Sequence, residues 1–243
     1  VIVLVLTNML IRMGYAGGAT AAVLGIVLLA AITFDVKWEK NRHKILQKSY
    51  VSPAFNELAV APAVSAGSGT PYEINDRLAN VDVLALGLVD GPEDVILDRQ
   101  GRLYTGMRQG WIYRFSGPDF SQRELFAVIG GRPLGLAFDK DENLIVCVAS
   151  MGLYGVRPNG EVYKISDRTN RSLFSVLDDS SIRFADDLDI APDGKIYFSE
   201  GSLRYDMHSW IFDGLEGRPN GRILMFDPET GKTKTVVRKL IFP

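Results

Sequence analysis

Two carboxylates occupy the same position within a repeated sequence unit. Each copy of the unit runs from a short loop through an apolar strand and a polar turn into a second strand. The copies lie at residues 91–106, 132–148 and 184–200. When they are aligned on their strands, Glu93, Leu134 and Asp186 fall at one position, just ahead of the first strand. Such a repeat is typical of β-propeller blades, whose innermost strands face a central channel, so we expect Glu93 and Asp186 to converge there.

Carboxylates that converge on a channel favour a bound cation. Calcium suits this position, because it takes roughly six to eight hard oxygen ligands from carboxylates, carbonyls and water. Asp187 follows Asp186 directly and is the next candidate. The alternative interpretation is that these loop carboxylates only cap turns or face solvent. Four other acidic residues follow the inner strands and are interpreted as turn formers: Asp98, Asp139, Asp141 and Asp193.

Other kinds of chemistry find little support in the chain. Cys147, the only cysteine, lies in an apolar strand pattern and is predicted to be a buried thiol. His43 and His208 are too far apart in sequence to form a zinc motif. No nucleophile elbow or Walker loop is present. The net charge of −2 offers no basic stripe for nucleic acid.

The segment that must position the carboxylates, residues 81–243, is predicted to consist of strands joined by tight turns. Paired strands are predicted around Arg108–Gly110, around Asn159-Gly160 and around Asp227–Gly231. Residues 81–87 are predicted to be a further strand, and no helical period is apparent after residue 80. The fold class predicted for residues 81–243 is therefore an all-β propeller.

The N-terminal part of the chain predicts a membrane anchor. Residues 13–34 are uncharged, and about 20 apolar residues are needed to cross the hydrocarbon layer. A cleaved signal peptide is the alternative, although the apolar run exceeds the usual length for one. We expect a single-pass anchor at 1–36. Taken alone, the five basic residues between 37 and 48 would keep the propeller in the cytoplasm, and both sides of the membrane stay open as its location.

Between the anchor and the propeller we expect a juxtamembrane segment and linker. This region covers residues 37–80. Its polar start, 37–50, is predicted to form a short juxtamembrane helix, and its Pro- and Gly-containing part, 51–71, to form a flexible tether.

The repeat count is low for a closed ring. The aligned positions are 41 and 52 residues apart, so residues 81–243 hold about three blades. Propellers close with roughly four to eight blades. We therefore expect further blades to follow Pro243.

Several short sequence motifs, taken together and in order, resemble the strictosidine synthase-like branch of the six-bladed propellers. That branch includes the adipocyte plasma membrane-associated proteins and is related to the paraoxonases and gluconolactonases. The matching phrases are Gly91–Glu93, Gly131–Gly135, Phe184–Leu188, Asp193–Phe198, Leu215–Gly217 and Gly221–Leu224.

The resemblance implies a calcium ion in the central channel, as in the hydrolytic members. Glu93 matches a Glu ligand, and Asp186 stands where the family usually has an Asn ligand. Asp187 matches an Asp that orients or activates water. A later ligand of the family follows a Phe-Pro pair, which here is Phe242-Pro243, the end of the sequence.

The function implied is a membrane-tethered, calcium-dependent hydrolase of small lactones or aryl esters. Two alternatives stay open. One is a metal-independent carbon–nitrogen lyase of the strictosidine synthase type. The other is a non-catalytic propeller that presents its loops to a protein partner.

Overall fold

The computed structural model describes residues 2–15, 17–46, 60–170 and 179–243. These residues belong to two compact units. One unit contains the N-terminal helices, and the other contains all the strands of the described chain.

The N-terminal unit consists of two helices, α1 (Ile2–Arg12) and α2 (Gly17–Leu46). Within α2, Gly17–Asp35 has a mean hydropathy of 2.1 and is long and apolar enough to cross a membrane. Residues 37–46, within the segment where a juxtamembrane helix was expected, are helical, and they continue α2 without a break up to Leu46. Between Gly25 and residue 46 the sequence contains no further Gly and no Pro, so no residue there interrupts this helix.

Part of the predicted tether at 51–71 lies outside the described residues. The described part, residues 60–71, contains neither helix nor strand.

The second unit contains three four-stranded antiparallel sheets, each a meander of consecutive strands. The first blade comprises β1 (Val95–Leu97), β2 (Leu103–Gly106), β3 (Trp111–Ser116) and β4 (Gln122–Val128). The second comprises β5 (Arg132–Phe138), β6 (Leu144–Ala149), β7 (Gly152–Val156) and β8 (Val162–Ser166). The third comprises β9 (Ala185–Ile190), β10 (Ile196–Glu200), β11 (Gly221–Asp227) and β12 (Lys232–Leu240). The prediction of about three propeller blades is confirmed.

The hydrophobic core lies between the blades, and β6 contributes to both of its halves. Leu144, Val146 and Val148 pack in the cluster shared with the first blade. Ile145 and Cys147 point to the opposite face and pack in the cluster shared with the third blade. Because successive side chains of a strand alternate between faces, a strand buried on both faces must be apolar throughout.

Two secondary-structure predictions were wrong. Residues 81–87 form no strand, because positive φ angles at Ala85 (53°) and Gly87 (73°) interrupt the extended backbone. A short helix, α3 (Ile211–Glu216), lies in the loop after β10 although no helix was expected there. It ends at Gly217, whose left-handed conformation lets its N–H donate to the Asp213 carbonyl. Six residues are too few to show a helical period in the sequence.

Candidate cation site at the inner strands

The aligned repeat positions do not all precede their strands. Glu93 lies two residues before β1, as expected. Leu134 and Asp186 lie inside β5 and β9, so the expectation that all three lie ahead of a strand was wrong. The inner strands of the second and third blades begin earlier because their first residues still pair with β6 and β10.

A β-bulge changes the direction of the side chains of Asp186 and Asp187. In β9, Ala185 and Leu188 keep regular partners, so Asp186 and Asp187 together oppose the single residue Ser199. The same register shift occurs in β5, where it falls between Pro133 and Leu136. Bulges bend a strand locally and are frequent next to functional sites. Here the bulge places two neighbouring carboxylates at the inner edge of the third blade.

The second blade approaches the third closely at Gly135. A Cβ atom placed on this glycine would lie 2.7 Å from both Cα and Oδ1 of Asp187 and 2.8 Å from the carbonyl oxygen of Asp186. Only a residue without a side chain fits there without moving the acidic pair. Gly135 therefore lets β5 pack directly against the candidate carboxylates.

The carboxylates of the first and third blades are close enough to repel one another. Burial raises the pKa of Asp186 to about 6, and the negative charges of Glu93 and Asp187 add to this effect while Arg132 opposes it. Glu93 is an exposed residue, but partial desolvation raises the pKa of its carboxyl, against the charge of Arg132 and with the charges of Asp187 and Asp94. The fold thus collects negative charge from two blades in one place.

Asp187 is held by hydrogen bonds to its own strand and to β10. Its Oδ1 accepts the backbone N–H of Leu188 at 2.8 Å. Its own N–H donates to the hydroxyl of Ser199 at 3.2 Å. Asp187 is exposed, but the bond from Leu188 restricts the rotation of its carboxylate.

The donor set fits part of a calcium site. All candidate ligand atoms are carboxylate oxygens, which calcium prefers. Within the described residues, however, no three His, Cys, Asp or Glu side chains are close enough to form a complete metal site. Arg132 already offsets part of the charge, and its Nε is buried without a hydrogen-bond partner among the described residues. Glu93 and Asp186 would therefore supply only some of the ligands that calcium needs.

Cys147 is not a further ligand. It is fully buried, as predicted, and burial followed by the charges of Asp186 and Asp187 raises the pKa of its thiol. The thiol therefore stays protonated at neutral pH and is a poor metal ligand.

The turn-forming role was predicted correctly for three of the four other aspartates. Asp98, Asp139 and Asp193 each accept backbone N–H groups within their own turns. Asp141 lies in the turn without such a side-chain bond among the described contacts. His208 is exposed in the loop after β10, and the side chain of His43 lies outside the described part of the chain.

Sequence reasoning missed three residues of this site: Asp94, Gly135 and Arg132. A signal existed for Asp94, because the pair Glu93-Asp94 repeats the acidic pair of the third blade. None existed for Arg132, since a charged residue at the start of a strand normally faces solvent.

Comparison with known proteins agrees with the predicted resemblance. The family model "Strictosidine synthase-like, N-terminal" matches residues 70–115, and the model "Strictosidine synthase" matches residues 186–243. Protein STRICTOSIDINE SYNTHASE-LIKE 4 of Arabidopsis thaliana is 32% identical over 184 residues, covering 74% of this chain and 48% of the relative. The resemblance to strictosidine synthase-like proteins is confirmed. The two matched segments include Glu93 and Asp186.

More distant similarities extend the comparison. The adipocyte plasma membrane-associated protein of Danio rerio is 29% identical over 187 residues, covering 71% of this chain and 43% of that protein. A gluconolactonase structure from Xanthomonas campestris superposes with a TM-score of 0.44 at 14% identity, covering 61% of this chain and 47% of the other. The chain spans about half the length of the curated relatives it matches.

Proposed function

We propose that this chain belongs to a membrane-tethered, calcium-dependent hydrolase of small lactones or aryl esters. The observation that supports the proposal is that β5 joins the two acidic pairs, because Leu136 N–H donates to Asp94 and Gly135 lies against Asp187. Glu93 and Asp186 are then close enough for their charges to interact. Asp186 is half-buried, whereas Glu93 and Asp187 are exposed. A cation bound beside them would offset the desolvation of Asp186 and the mutual repulsion of the three negative charges.

The three carboxylates would have two different roles, metal binding and activation of water. Glu93 and Asp186 would hold calcium through their oxygens, with further ligands from outside this set. Bound calcium supplies Lewis-acid polarisation of an ester or lactone carbonyl. Asp187 would orient a water molecule and accept its proton, because the bond from Leu188 N–H to Oδ1 fixes the direction of its carboxylate.

The membrane anchor in this proposal is the apolar part of α2. Gly17–Asp35 would cross the membrane once, with residues 37–80 linking it to the propeller at 81–243. A cleaved signal sequence is the alternative, although its apolar region is usually shorter than this segment. Alkaline carbonate extraction separates the two: an uncleaved anchor stays with the membrane pellet, whereas release of a chain that has lost its N-terminal helix contradicts the anchor.

Calorimetric titration with calcium, together with turnover of a lactone and aryl ester panel, tests the function. Glu93→Gln should abolish both while the unfolding midpoint stays near that of the wild type, because the amide keeps the shape but loses the charge. Glu124→Gln is the matched control, since Glu124 lies on the exposed face of β4. A Glu93→Gln protein that binds calcium and turns over ester as the wild type does would contradict the proposal.

Arg132 favours a second candidate, the metal-independent carbon–nitrogen lyase. Its guanidinium already compensates Glu93 and Asp186 electrostatically. A site whose negative charge is partly offset by its own arginine depends less on a bound metal. Condensation of an amine with an aldehyde that persists in a chelator would support this candidate, and bound calcium without any turnover would support the non-catalytic module.

A further inference from the structure

We propose that Asp94 is a positioning residue that sets the spacing between Glu93 and Asp186 by tying the first blade to the second. The inference rests on the proposed function, since it concerns the two proposed ligands. Asp94 directly follows Glu93 in the chain, so any displacement of its backbone moves Glu93 as well.

The carboxylate of Asp94 bonds on both sides of a blade boundary. Its Oδ1 accepts the backbone N–H of Val95 at 2.7 Å, at the start of β1. Its Oδ2 accepts the N–H of Leu136 at 2.9 Å, in the inner strand of the next blade. The carbonyl oxygen of Asp94 accepts the Thr105 hydroxyl at 2.8 Å, which anchors Asp94 to β2.

The three blades show why the second blade needs this bond. An inner strand is a sheet edge, so it leaves backbone N–H groups that require a partner. In the third blade, Asp187 caps the N–H that follows its bulge, that of Leu188. The second blade has Gly135 at the corresponding position, which has no side chain to cap Leu136. Asp94 supplies the missing acceptor from the first blade.

Gly135 in turn cannot be replaced by a capping residue, because the acidic pair of the third blade occupies the space. Asp187 Cα would lie 2.7 Å from any Cβ there. An unbroken series of contacts therefore runs from Glu93-Asp94 through Gly135-Leu136 to Asp186-Asp187. The distance between the proposed ligands depends on the middle of this series.

Removal of the Asp94 carboxylate should weaken calcium binding although Asp94 is not a proposed ligand. We expect Asp94→Ala to raise the calcium Kd about 10- to 100-fold, the usual effect of losing a group that orients a ligand. Asp94→Asn keeps one acceptor oxygen and should fall between Asp94→Ala and the wild type. This conservative variant also serves as the test protein where the alanine variant fails to fold.

Asp139→Ala is the matched control for loss of hydrogen bonds. The Asp139 carboxylate also accepts two backbone N–H groups, at 2.9 and 2.8 Å, but both lie within its own turn after β5. It links no blades, so its loss should lower stability and leave the calcium Kd unchanged. An equal weakening in Asp139→Ala would attribute the effect to general destabilisation and would overturn the positioning role.

A second pair of variants tests the other end of the contact series. Gly135→Ala should weaken calcium binding by displacing Asp186-Asp187. Gly214→Ala is its control, since nothing lies within 4 Å of a Cβ placed on that glycine in α3. Equal calcium affinities in the two alanine variants would contradict the role of Gly135 as the spacer.

The experiment is calcium calorimetry on the full-length protein, with hydrogen exchange at the Leu136 amide as a metal-independent measurement. Asp94→Ala should speed exchange at Leu136, and Asp139→Ala should not. If Glu93→Gln loses calcium while Asp94→Ala keeps wild-type affinity, the positioning role fails and the proposed function stands. If Glu93→Gln binds calcium normally, the proposed function fails, and the positioning role fails with it.

Discussion

Glu200 and Arg222 form an ion pair that is completely buried inside the third blade, with Arg222 Nε 2.5 Å from Glu200 Oε2. The other Glu200 oxygen accepts the N–H of Arg183 at 2.6 Å. The guanidinium also donates to the hydroxyls of Thr235 and Ser180. The pair thus joins β10 and β11 to the segment that enters β9, in which Asp186 lies.

Glu200→Gln should destabilise the fold by about 3 kcal/mol or more, because it leaves the Arg222 charge buried without a counter-charge. Urea unfolding measures the loss. Glu161→Gln, which breaks the exposed pair with Arg157, should cost less than about 1 kcal/mol. Similar losses in the two variants would show that Arg222 is rescued by its hydroxyl partners.

Asp98 should make the protein less stable in acid. Burial alone would raise its pKa, but hydrogen bonds from the backbone and side chain of Arg102 outweigh it, so the pKa of Asp98 lies below the ordinary 3.8. The stabilisation is therefore present above about pH 4 and is lost as the pH falls through the folded-state pKa. Melting temperatures between pH 5 and pH 2.5 should fall less steeply in Asp98→Asn, whereas the exposed Asp141→Asn should follow the wild type.

Asp186 should have the opposite effect on the calcium-free protein. Its folded-state pKa of about 6 exceeds the ordinary 3.8, so the fold favours the protonated acid. Stability contributed by this group is complete below about pH 4 and is lost as the pH rises through about 6. Melting in a chelator should show this loss, and Asp186→Asn should remove it. An unchanged pH profile in Asp186→Asn would mean that Asp186 is more solvated than its burial indicates.

Gly110 and Gly101 should respond differently to alanine. Both have left-handed φ angles, +83° and +76°, which cost a side chain about 1–2 kcal/mol. A Cβ on Gly110 would also lie 2.7 Å from the backbone of Gly130, whereas nothing lies near Gly101. Gly110→Ala should therefore lose at least 1 kcal/mol more, on the order of an overpacking penalty. Equal losses in denaturant unfolding would show that the loop after β4 moves aside.

Local sequence determined most of the blade architecture. Alternating or continuous apolar runs predicted the strands, and turn formers such as Asp98 and Asp139 marked the turns, because both depend on residues a few positions apart. The equal phase of Glu93 and Asp186 also followed from the sequence, since blades repeat the same local pattern. The anchor-like character of 17–35 needed only length and hydropathy.

Tertiary structure alone decided how the site is assembled. The bulge at Asp186-Asp187, the direct contact at Gly135 and the bond from Leu136 to Asp94 all join segments that lie about 40 or more residues apart or depend on cross-strand register. Residues 81–87 deviated from expectation for a related reason, whereas α3 was missed because six residues are too few to show a helical period. An apolar pattern states which face is to be buried, but the partner that buries it and accepts its backbone hydrogen bonds exists only in the folded chain.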